Sequence, residues 1–316
     1  MNILVTGGAG FIGSHVAEAC IRAGHRVVVL DNLSSGRRAF LPPEAVFHEQ
    51  DLMEADLAAL LRQEKIEVIN HHAAQISVQD SIEHPEEDAR VNILGTLRLL
   101  HAASQTGVAK IIFASTAGVY GDSDTLPARE TDPCRPVTPY AISKWSGERY
   151  LHFFGESRGL SAVVLRYSNV YGPRQNLKGE AGVVALQCAR LLQGTSPIVY
   201  GDGTQTRDFV YVEDVAQANL VALKPEVRGV FNVGSGRETT VNALTGLLSR
   251  LSGRTVDTRH EAPREGDLSR SYLNPEKIAA LGWNPECTLE TGLRRTLEYF
   301  KQHLAAGQSL KTEPDP

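Results

Sequence analysis

Tyr140 and Lys144 are the residues whose types and spacing most directly suggest chemistry. They stand four positions apart in P-Y-A-I-S-K, and on a helix this spacing puts both side chains on one face. A tyrosine hydroxyl has an ordinary pKa of about 10, so a tyrosine base working near neutral pH needs this pKa lowered by about 3 units. One nearby cation supplies about 1–3 units. The pair therefore indicates a proton-transfer site in which a second positive charge completes the shift.

A hydroxyl residue, Thr116, lies 24 positions before the tyrosine in the stretch F-A-S-T-A-G-V-Y-G. The stretch ends a strand-like run, and the carboxyl ends of strands in open parallel sheets face the ligand crevice. We therefore expect Ser115 and Thr116 both to point toward the site. Thr116 would hold a substrate hydroxyl while Tyr140 removes its proton.

Alternating patterns predict the elements that position these residues. Short apolar runs lie at 3–6, 26–31, 45–49, 68–73, 111–115 and 162–166, and helical patterns at 14–23, 54–64, 86–105 and 140–157. This alternation predicts an α/β fold with a doubly wound, mostly parallel sheet of the Rossmann type.

The regular alternation of strand and helix patterns ends near residue 172, which predicts a second, smaller domain. Residues 1–172 would bind a dinucleotide, with the sheet rejoined by about 213–234, and the loop-rich residues 173–316 would bind substrate. The polar tail at 307–316 is expected to be frayed.

Three glycines between the first strand and the first helix indicate a phosphate cradle. In T-G-G-A-G-F-I-G-S, Gly7 would make the tight turn, Gly10 would let the backbone approach a pyrophosphate and Gly13 would let helix and strand pack closely. The phosphate would meet N–H groups at a helix N-terminus.

An acid at the end of the second strand, Asp31, favours NAD as the cofactor. It lies about 18 residues past the last glycine, where a carboxylate binds a ribose diol and repels a 2′-phosphate. Arg37 and Arg38 lie nearby and could bind a 2′-phosphate, so NADP remains an alternative cofactor. Asp51 and Leu52, after the third strand, are placed to flank the adenine.

Composition argues against several other classes of protein. The 316 residues carry a net charge of -5, whereas a nucleic-acid-binding protein would show a basic face. We expect neither a signal peptide nor a membrane span, because there is no apolar run near the roughly 18 residues that a span requires. The four cysteines are far apart, which favours reduced thiols and a cytoplasmic protein. Adjacent His71 and His72 should point to opposite faces of a strand, so no metal site is expected.

The spacing G-x-x-G-x-x-G together with Tyr140-x-x-x-Lys144 resembles the extended short-chain dehydrogenase/reductase superfamily, over nearly the whole chain. The resemblance implies NAD as the cofactor. Lys144 would also bind the nicotinamide ribose, and the positive nicotinamide would complete the lowering of the tyrosine's pKa. Further cofactor contacts are expected from Phe11, Ile12, Asn32, Ser35, Gly36, Ala73, Ala74, Gln75, Asn92, Ser115 and Tyr167.

The members that this chain resembles act on nucleotide-activated sugars. In the 4,6-dehydratases the hydroxyl residue is followed by an Asp-Glu pair that performs an elimination, whereas here Ala117 and Gly118 follow Thr116. The simplest fate of a 4-keto intermediate is then reduction on its other face. The segment is similar to the UDP-glucose 4-epimerases, which implies NAD-dependent 4-epimerisation of a UDP-hexose.

That resemblance also implies a set of substrate contacts. A nucleotide-sugar contact is expected at Asn169, backbone contacts to uracil at Val199 and Tyr200, a diphosphate grip at Arg207 and Arg264, and a uridine ribose contact at Asp267. The alternative for Arg207 is an ion pair with Asp208 or Asp214.

Ser271, seven positions after Arg264, matches the position at which a bulky tyrosine restricts the epimerases to plain hexoses. Its small side chain predicts room for N-acetylated sugars, UDP-GlcNAc and UDP-GalNAc. A homodimer through the helices at 86–105 and 140–157 is implied as well. The alternatives are 4-epimerisation of UDP-glucuronate or a pentose, a sugar-nucleotide reductase or dehydratase, and a non-catalytic NAD sensor.

Overall fold

A seven-stranded parallel sheet organises the first two thirds of the chain. The computed structural model describes residues 1–177, 182–254, 256–263 and 267–305. The sheet strands are β1 (Asn2–Thr6), β2 (Arg26–Asp31), β3 (Val46–Glu49), β4 (Val68–His71), β5 (Lys110–Thr116), β6 (Ser161–Tyr167) and β11 (Gly229–Val233). Their spatial order is β11-β6-β5-β4-β1-β2-β3, and every pairing is parallel. The predicted doubly wound α/β fold is confirmed.

Helices cover both faces of this sheet. They are α1 (Phe11–Arg22), α2 (Leu57–Gln63), α3 (Val78–Glu83), α4 (Pro85–Ala89), α5 (Gly95–Thr106), α6 (Pro139–Arg158) and α8 (Val212–Ala222). Alternate residues of β1 show how the layers form. Ile3 and Val5 face the core shared with α1 and α8, and Leu4 faces the core shared with α2 and α5. Such continuous apolar strands are typical of a sheet that is buried on both faces.

The single helix predicted at 86–105 is interrupted. A π-helical turn at Arg90–Leu94 joins α4 to α5 and places Asn92 inward, where it is 3% exposed. The predicted helix at 14–23 begins earlier, at Phe11, because Gly10 is its N-cap. The helix predicted at 54–64 begins at Leu57, because the Asp56 side chain caps it by accepting from the N–H of Ala59.

The C-terminal part is built from short strands and four helices, three of which pack together. The strands are β7 (Asn169–Tyr171), β8 (Ile198–Tyr200), β9 (Thr206–Arg207), β10 (Phe209–Tyr211), β12 (Thr239–Thr240), β13 (Arg259–Glu261) and β14 (Arg270–Ser271). The helices are α7 (Val183–Gln193), α9 (Val241–Ser252), α10 (Glu276–Ala279) and α11 (Leu289–Ala305). A separate apolar core lies among α7, α9 and α11.

The predicted division at residue 172 remains a prediction, and the tail at 307–316 lies outside the described residues. Among the helices that the structure describes, none is long and apolar enough to cross a membrane.

Lys110, the first residue of β5, connects the sheet to the end of α8 by hydrogen bonds. Its ammonium is 4% exposed and donates to the carbonyls of Ala222 (3.0 Å), Val227 (3.2 Å) and Lys224. The last carbonyls of a helix have no partner within the helix, and a cation there is favourable. Lys110 therefore supplies donors that the buried helix end needs.

We expect Lys110→Met to lower the free energy of unfolding by about 2–4 kcal/mol, since methionine fills the space but leaves buried carbonyls without donors. Urea denaturation measures this. The control is Lys301→Met, at an exposed position of α11, where a change within about 0.5 kcal/mol is expected. Equal stabilities of the two variants would contradict this role.

Candidate active site

The carboxyl ends of five parallel strands meet at one edge of the sheet. Gly7 follows β1, Asp31 ends β2, His72 follows β4, Thr116 ends β5 and Tyr167 ends β6. In open parallel sheets this edge is where ligands bind. The register pairs Thr116 directly with Tyr167 on the neighbouring strand. Four of the predicted site residues, Gly7, Asp31, Thr116 and Tyr167, are thereby brought to one edge of the sheet.

Two glycines at the junction of β1 and α1, Gly7 and Gly13, have no room for a side chain. Gly7 has a φ of +66°, and a Cβ there would lie 2.6 Å from the backbone nitrogen of Ala73. A Cβ on Gly13 would collide with the carbonyl oxygen of Gly7. Gly10 is the N-cap of α1 and no side chain caps this helix. The N–H groups of its first turn, from Phe11 to Gly13, are therefore available to a phosphate, so the turn fits a dinucleotide.

Asp31 is held in place by the backbone beside this cradle. It is 8% exposed, and its two carboxylate oxygens accept the N–H groups of Ala9 (2.9 Å) and Leu33 (2.8 Å). Each oxygen keeps a second lone pair for a ribose hydroxyl. The guanidinium groups of Arg37 and Arg38 lie over the rings of Phe40 and Phe47, at 5.7 Å and 5.1 Å. The carboxylate rather than a cation thus adjoins the cradle, which fits NAD.

The loop after β2 completes the adenosine side of the cleft. Gly36 packs on Ala9, since a Cβ at Gly36 would lie 2.9 Å from the Ala9 carbonyl carbon, and this brings Ser35 alongside. The Asn32 amide donates to Asp51 at 2.7 Å. The pKa of Asp51 is lowered, first by the Met53 N–H and then by this amide. Leu52 is buried behind it, against Gly95.

The Asn92 side chain connects the loop after β4 to α4 and α6. Its amide oxygen accepts the N–H of Gln75 (2.9 Å), and its NH2 group donates to the Gln75 carbonyl, to Asp88 and to Ser143. These hydrogen bonds fix the loop Ala73–Ala74–Gln75 against α6. The predicted contact of Asn92 with the cofactor stays a prediction.

Ser115 corrects an expectation, because its hydroxyl does not point into the cleft. It donates to Glu148 Oε1 of α6 at 2.5 Å. Glu148 in turn forms an ion pair with Arg166 of β6 (2.6 Å), both side chains being 5% exposed. Neighbouring strand residues point to opposite faces, so Thr116 and Ser115 cannot both face the same way.

The proton-transfer residues are arranged around the start of α6. Lys144 is 4% exposed; its ammonium donates to the Ala114 carbonyl at 3.1 Å and lies 6.0 Å from the centre of the Tyr140 ring. Burial lowers the pKa of Lys144 to about 8, against an opposing effect of the Asp88 carboxylate. The lysine is therefore mostly charged at pH 7. The Thr116 hydroxyl oxygen accepts the Gly118 N–H at 3.1 Å.

A cavity of about 190 Å³ joins residues predicted to be catalytic with residues predicted to bind substrate. It is lined by seven of the predicted residues, Thr116, Tyr140, Tyr167, Asn169, Arg207, Asp267 and Ser271. Val199 and Tyr200 are not among its lining residues, since they lie in β8, which pairs with β13. The predicted position Arg264 lies outside the described residues.

Arg207 is anchored at the cavity by neither of the expected acids. It forms an ion pair with Asp267 and donates to the carbonyls of Thr206 and Leu268, both at 2.7 Å. Asp208 is 0% exposed and accepts N–H groups from Ser235 (2.7 Å) and Gly236. The alternative pairing with Asp208 or Asp214 is therefore wrong.

The two adjacent histidines point apart. His71 lies between the hydroxyls of Thr6 (2.7 Å) and Thr96 (3.1 Å). His72 stacks on the ring of Tyr167 at 6.0 Å and contacts its hydroxyl. Burial lowers the pKa of each imidazole to about 3, so both rings are neutral at pH 7.

Two acids at the site escaped the sequence analysis. Glu148 lies one turn after Lys144 on the same face of α6, and this spacing could have revealed it. Asp88 is 1% exposed near the π-helical turn, and no local pattern marks it. Both are buried acids, whose partners only the tertiary structure supplies.

Comparison with known proteins agrees with this geometry. Residues 3–234 match the model of the NAD dependent epimerase/dehydratase family. The chain is similar to the UDP-glucose 4-epimerase of Thermotoga maritima solved with UDP-glucose, at 46% identity and a TM-score of 0.93, covering 96% of this chain and 100% of that one. It is also similar to the Thermus thermophilus UDP-glucose 4-epimerase in complex with NAD (43% identity, TM-score 0.91, 95% and 99% covered).

A third solved structure is similar to the chain over nearly its whole length. It is the UDP-N-acetylglucosamine 4-epimerase of Methanobrevibacter ruminantium in complex with UDP-N-acetylmuramic acid, with 37% identity, a TM-score of 0.91 and coverage of 96% and 98%. The sequence prediction is confirmed: the chain belongs to the NAD-dependent epimerase/dehydratase family, among its UDP-glucose 4-epimerases.

Proposed function

We propose that the chain interconverts UDP-glucose and UDP-galactose by 4-epimerisation with Tyr140 as its acid and base. The observation that carries this proposal is the single cavity shared by Tyr140, Thr116 and Arg207, with Lys144 buried behind the tyrosine. Bound NAD supplies a reversible hydride acceptor for C4 of the sugar. The protein's own residues supply the proton path, the grip on the nucleotide and the space in which the sugar turns.

Tyr140 takes the proton of the 4-hydroxyl as C4 loses its hydride, and returns it when the hydride is restored to the other face. The ammonium of Lys144 favours the tyrosinate form by its charge. The Thr116 oxygen already accepts from Gly118, so its own O–H is directed to donate to the sugar oxygen.

Arg207 holds the diphosphate while the sugar half moves. Its contacts to Asp267 and to two backbone carbonyls fix the guanidinium at the cavity, and this planar group binds phosphate oxygens in pairs. Arg264 would add a second cation from its own loop. A nucleotide held at one end leaves the hexose able to present either face of C4.

Tyr140→Phe removes the ionisable hydroxyl and keeps the ring. We expect kcat for UDP-galactose to fall by about 10²–10⁴, the usual contribution of a general acid–base, with NAD binding retained. The assay follows UDP-glucose with catalytic NAD and expects no net change in NADH absorbance. Tyr150→Phe, at an exposed position of the same helix, is the control. Wild-type turnover by Tyr140→Phe would refute the assignment of the base.

Ser271 supports a broader sugar range. It lines the cavity, and β14 pairs it with Arg207, so its small side chain lies beside the anchored guanidinium. We propose that this space admits a 2-N-acetyl group and that UDP-GlcNAc and UDP-GalNAc are also substrates. The 37% identical UDP-N-acetylglucosamine 4-epimerase supports this range.

Ser271→Tyr should remove turnover of UDP-GlcNAc by at least about a hundred-fold while UDP-glucose is still turned over, because the added ring fills the space for the N-acetyl group. Initial rates with the two substrates measure the ratio. Ser269→Tyr, two positions earlier and exposed, should leave the ratio unchanged. A wild-type rate with UDP-GlcNAc below about 1% of that with UDP-glucose would contradict the proposal.

We also propose that the protein is a cytoplasmic homodimer through α5 and α6. Exposed apolar side chains lie on this face: Leu94 beside α5, and Ile142, Tyr150 and Phe153 on α6. Exposed apolar side chains grouped on two neighbouring helices favour an interface there. The four cysteines are all unpaired, which supports a reducing compartment.

Phe153→Glu places a charge in the centre of the proposed interface, so we expect a shift from dimer to monomer in analytical ultracentrifugation. Ala109→Glu adds the same charge at an exposed position before β5 and should remain dimeric. A wild-type protein that sediments as a monomer would refute the dimer.

A further inference from the structure

Asp88 is a buried acid that the proposed reaction has not used. It belongs to α4, just before the π-helical turn, and is 1% exposed. Its Oδ1 accepts from the Asn92 amide at 2.9 Å and from the Gln75 amide at 3.4 Å. A buried carboxylate is costly unless charge and hydrogen bonds compensate it, and two neutral amides compensate only in part.

The same cluster reaches the start of α6. The Asn92 amide also donates to Ser143 Oγ at 3.1 Å, and Ser143 donates to the Tyr140 carbonyl at 2.9 Å. Ser143 precedes Lys144. Asp88 therefore stands beside the turn of α6 that carries both proton-transfer residues.

We propose that Asp88 is a positioning residue of the epimerase: it is the buried counter-charge of Lys144, and it keeps the shared proton on the lysine rather than on Tyr140. The proposal deepens the proposed function and rests on its assignment of Tyr140 and Lys144. None of the catalytic or binding roles given above belongs to Asp88.

The charged groups around Lys144 favour this role. His71 and His72, from the end of β4, are neutral at pH 7. Tyr140 lies on the same helix, and the Ala114 carbonyl of β5 is a dipole rather than a charge. Burial lowers the pKa of Lys144, and the Asp88 carboxylate is the charged group that raises it. Conversely, the pKa of Asp88 is raised first by burial and is lowered by Ser143 and by the Lys144 charge.

The consequence concerns where one proton resides. With one proton between them, Tyr140 and Lys144 have two forms, tyrosinate with ammonium and phenol with neutral amine. Only the first form has the base ready. The Asp88 carboxylate acts to raise the pKa of Lys144 and so favours the ammonium. The positive nicotinamide opposes the lysine's charge, so the counter-charge matters most in the loaded enzyme.

The test is Asp88→Asn in the NAD-loaded protein, since asparagine keeps the volume and an oxygen for the Asn92 amide. We expect kcat to fall by about ten-fold or more near pH 7, because one adjacent charge moves a pKa by about 1–3 units, with KM changed less than about two-fold. The ultraviolet tyrosinate absorbance, with Tyr140→Phe as the blank, should fall in parallel. Glu86→Gln removes an exposed acid of the same helix and should change neither quantity.

A second background, the variant Lys144→Arg, distinguishes an electrostatic role of Asp88 from a structural one. Arginine stays protonated whatever its neighbours, so in Lys144→Arg the further change Asp88→Asn should alter the residual kcat by less than about two-fold. An equal loss in both backgrounds would overturn the proposal and make Asp88 a purely structural residue. Wild-type kcat and wild-type tyrosinate absorbance in Asp88→Asn would overturn it too.

The spectroscopic measurement needs no sugar nucleotide. If the wild-type protein failed to epimerise UDP-galactose, the proposed function would be wrong, while the tyrosinate absorbance would still decide whether Asp88 controls the proton shared by Tyr140 and Lys144.

Discussion

The docking of α6 on β5 is the contact on which the active site depends. Gly147 lies against the Phe113 ring, so closely that a Cβ there would be 2.7 Å from the ring's outermost carbon. One residue later, Glu148 binds both Ser115 of β5 and Arg166 of β6. Because Thr116 directly follows Ser115, this contact fixes the height of the helix relative to the hydroxyl that faces the substrate. Tyr140 and Lys144 lie two turns and one turn earlier on the same helix.

The buried ion pair of Glu148 and Arg166 contributes more to fixing the position of α6 on the sheet than to the free energy of unfolding. Desolvation of two charges offsets most of their attraction, but a single charge left without its partner costs about 3–5 kcal/mol. The Arg166 pKa is raised by its hydrogen bond to Glu148 even though burial, the larger single effect, lowers it. A shift of α6 by one turn would break this pair and remove Lys144 from the Ala114 carbonyl at the same time. The observed position of α6 is thereby favoured over positions shifted by one helical turn.

The sequence allowed prediction of those parts of the site that depend on the local chain. The glycines of the cradle, Asp31 and the spacing of Tyr140 and Lys144 follow from strand ends and helix periodicity, which are local properties. The face that Ser115 takes depends on which helix covers β5, and the use of the Asn92 amide depends on a loop 17 residues away. The partner of Arg207, Asp267, lies 60 residues away. Such pairings are tertiary and leave no periodic trace in the sequence.

The outcome of the reaction follows from what lines the cavity. Among the described residues that form it, Asp267 is the only carboxylate, and it is engaged with Arg207. Ala117 and Gly118, where a dehydratase carries its acids, offer no group that could take a proton from carbon or expel a hydroxyl. In the proposed reaction a 4-keto sugar held beside Tyr140 would meet a proton donor at its oxygen, and the described lining of the cavity offers no free acid for an elimination. Reduction at C4 would then be the step that remains, and a hexose free to turn, with its nucleotide held at Arg207, could be reduced on either face.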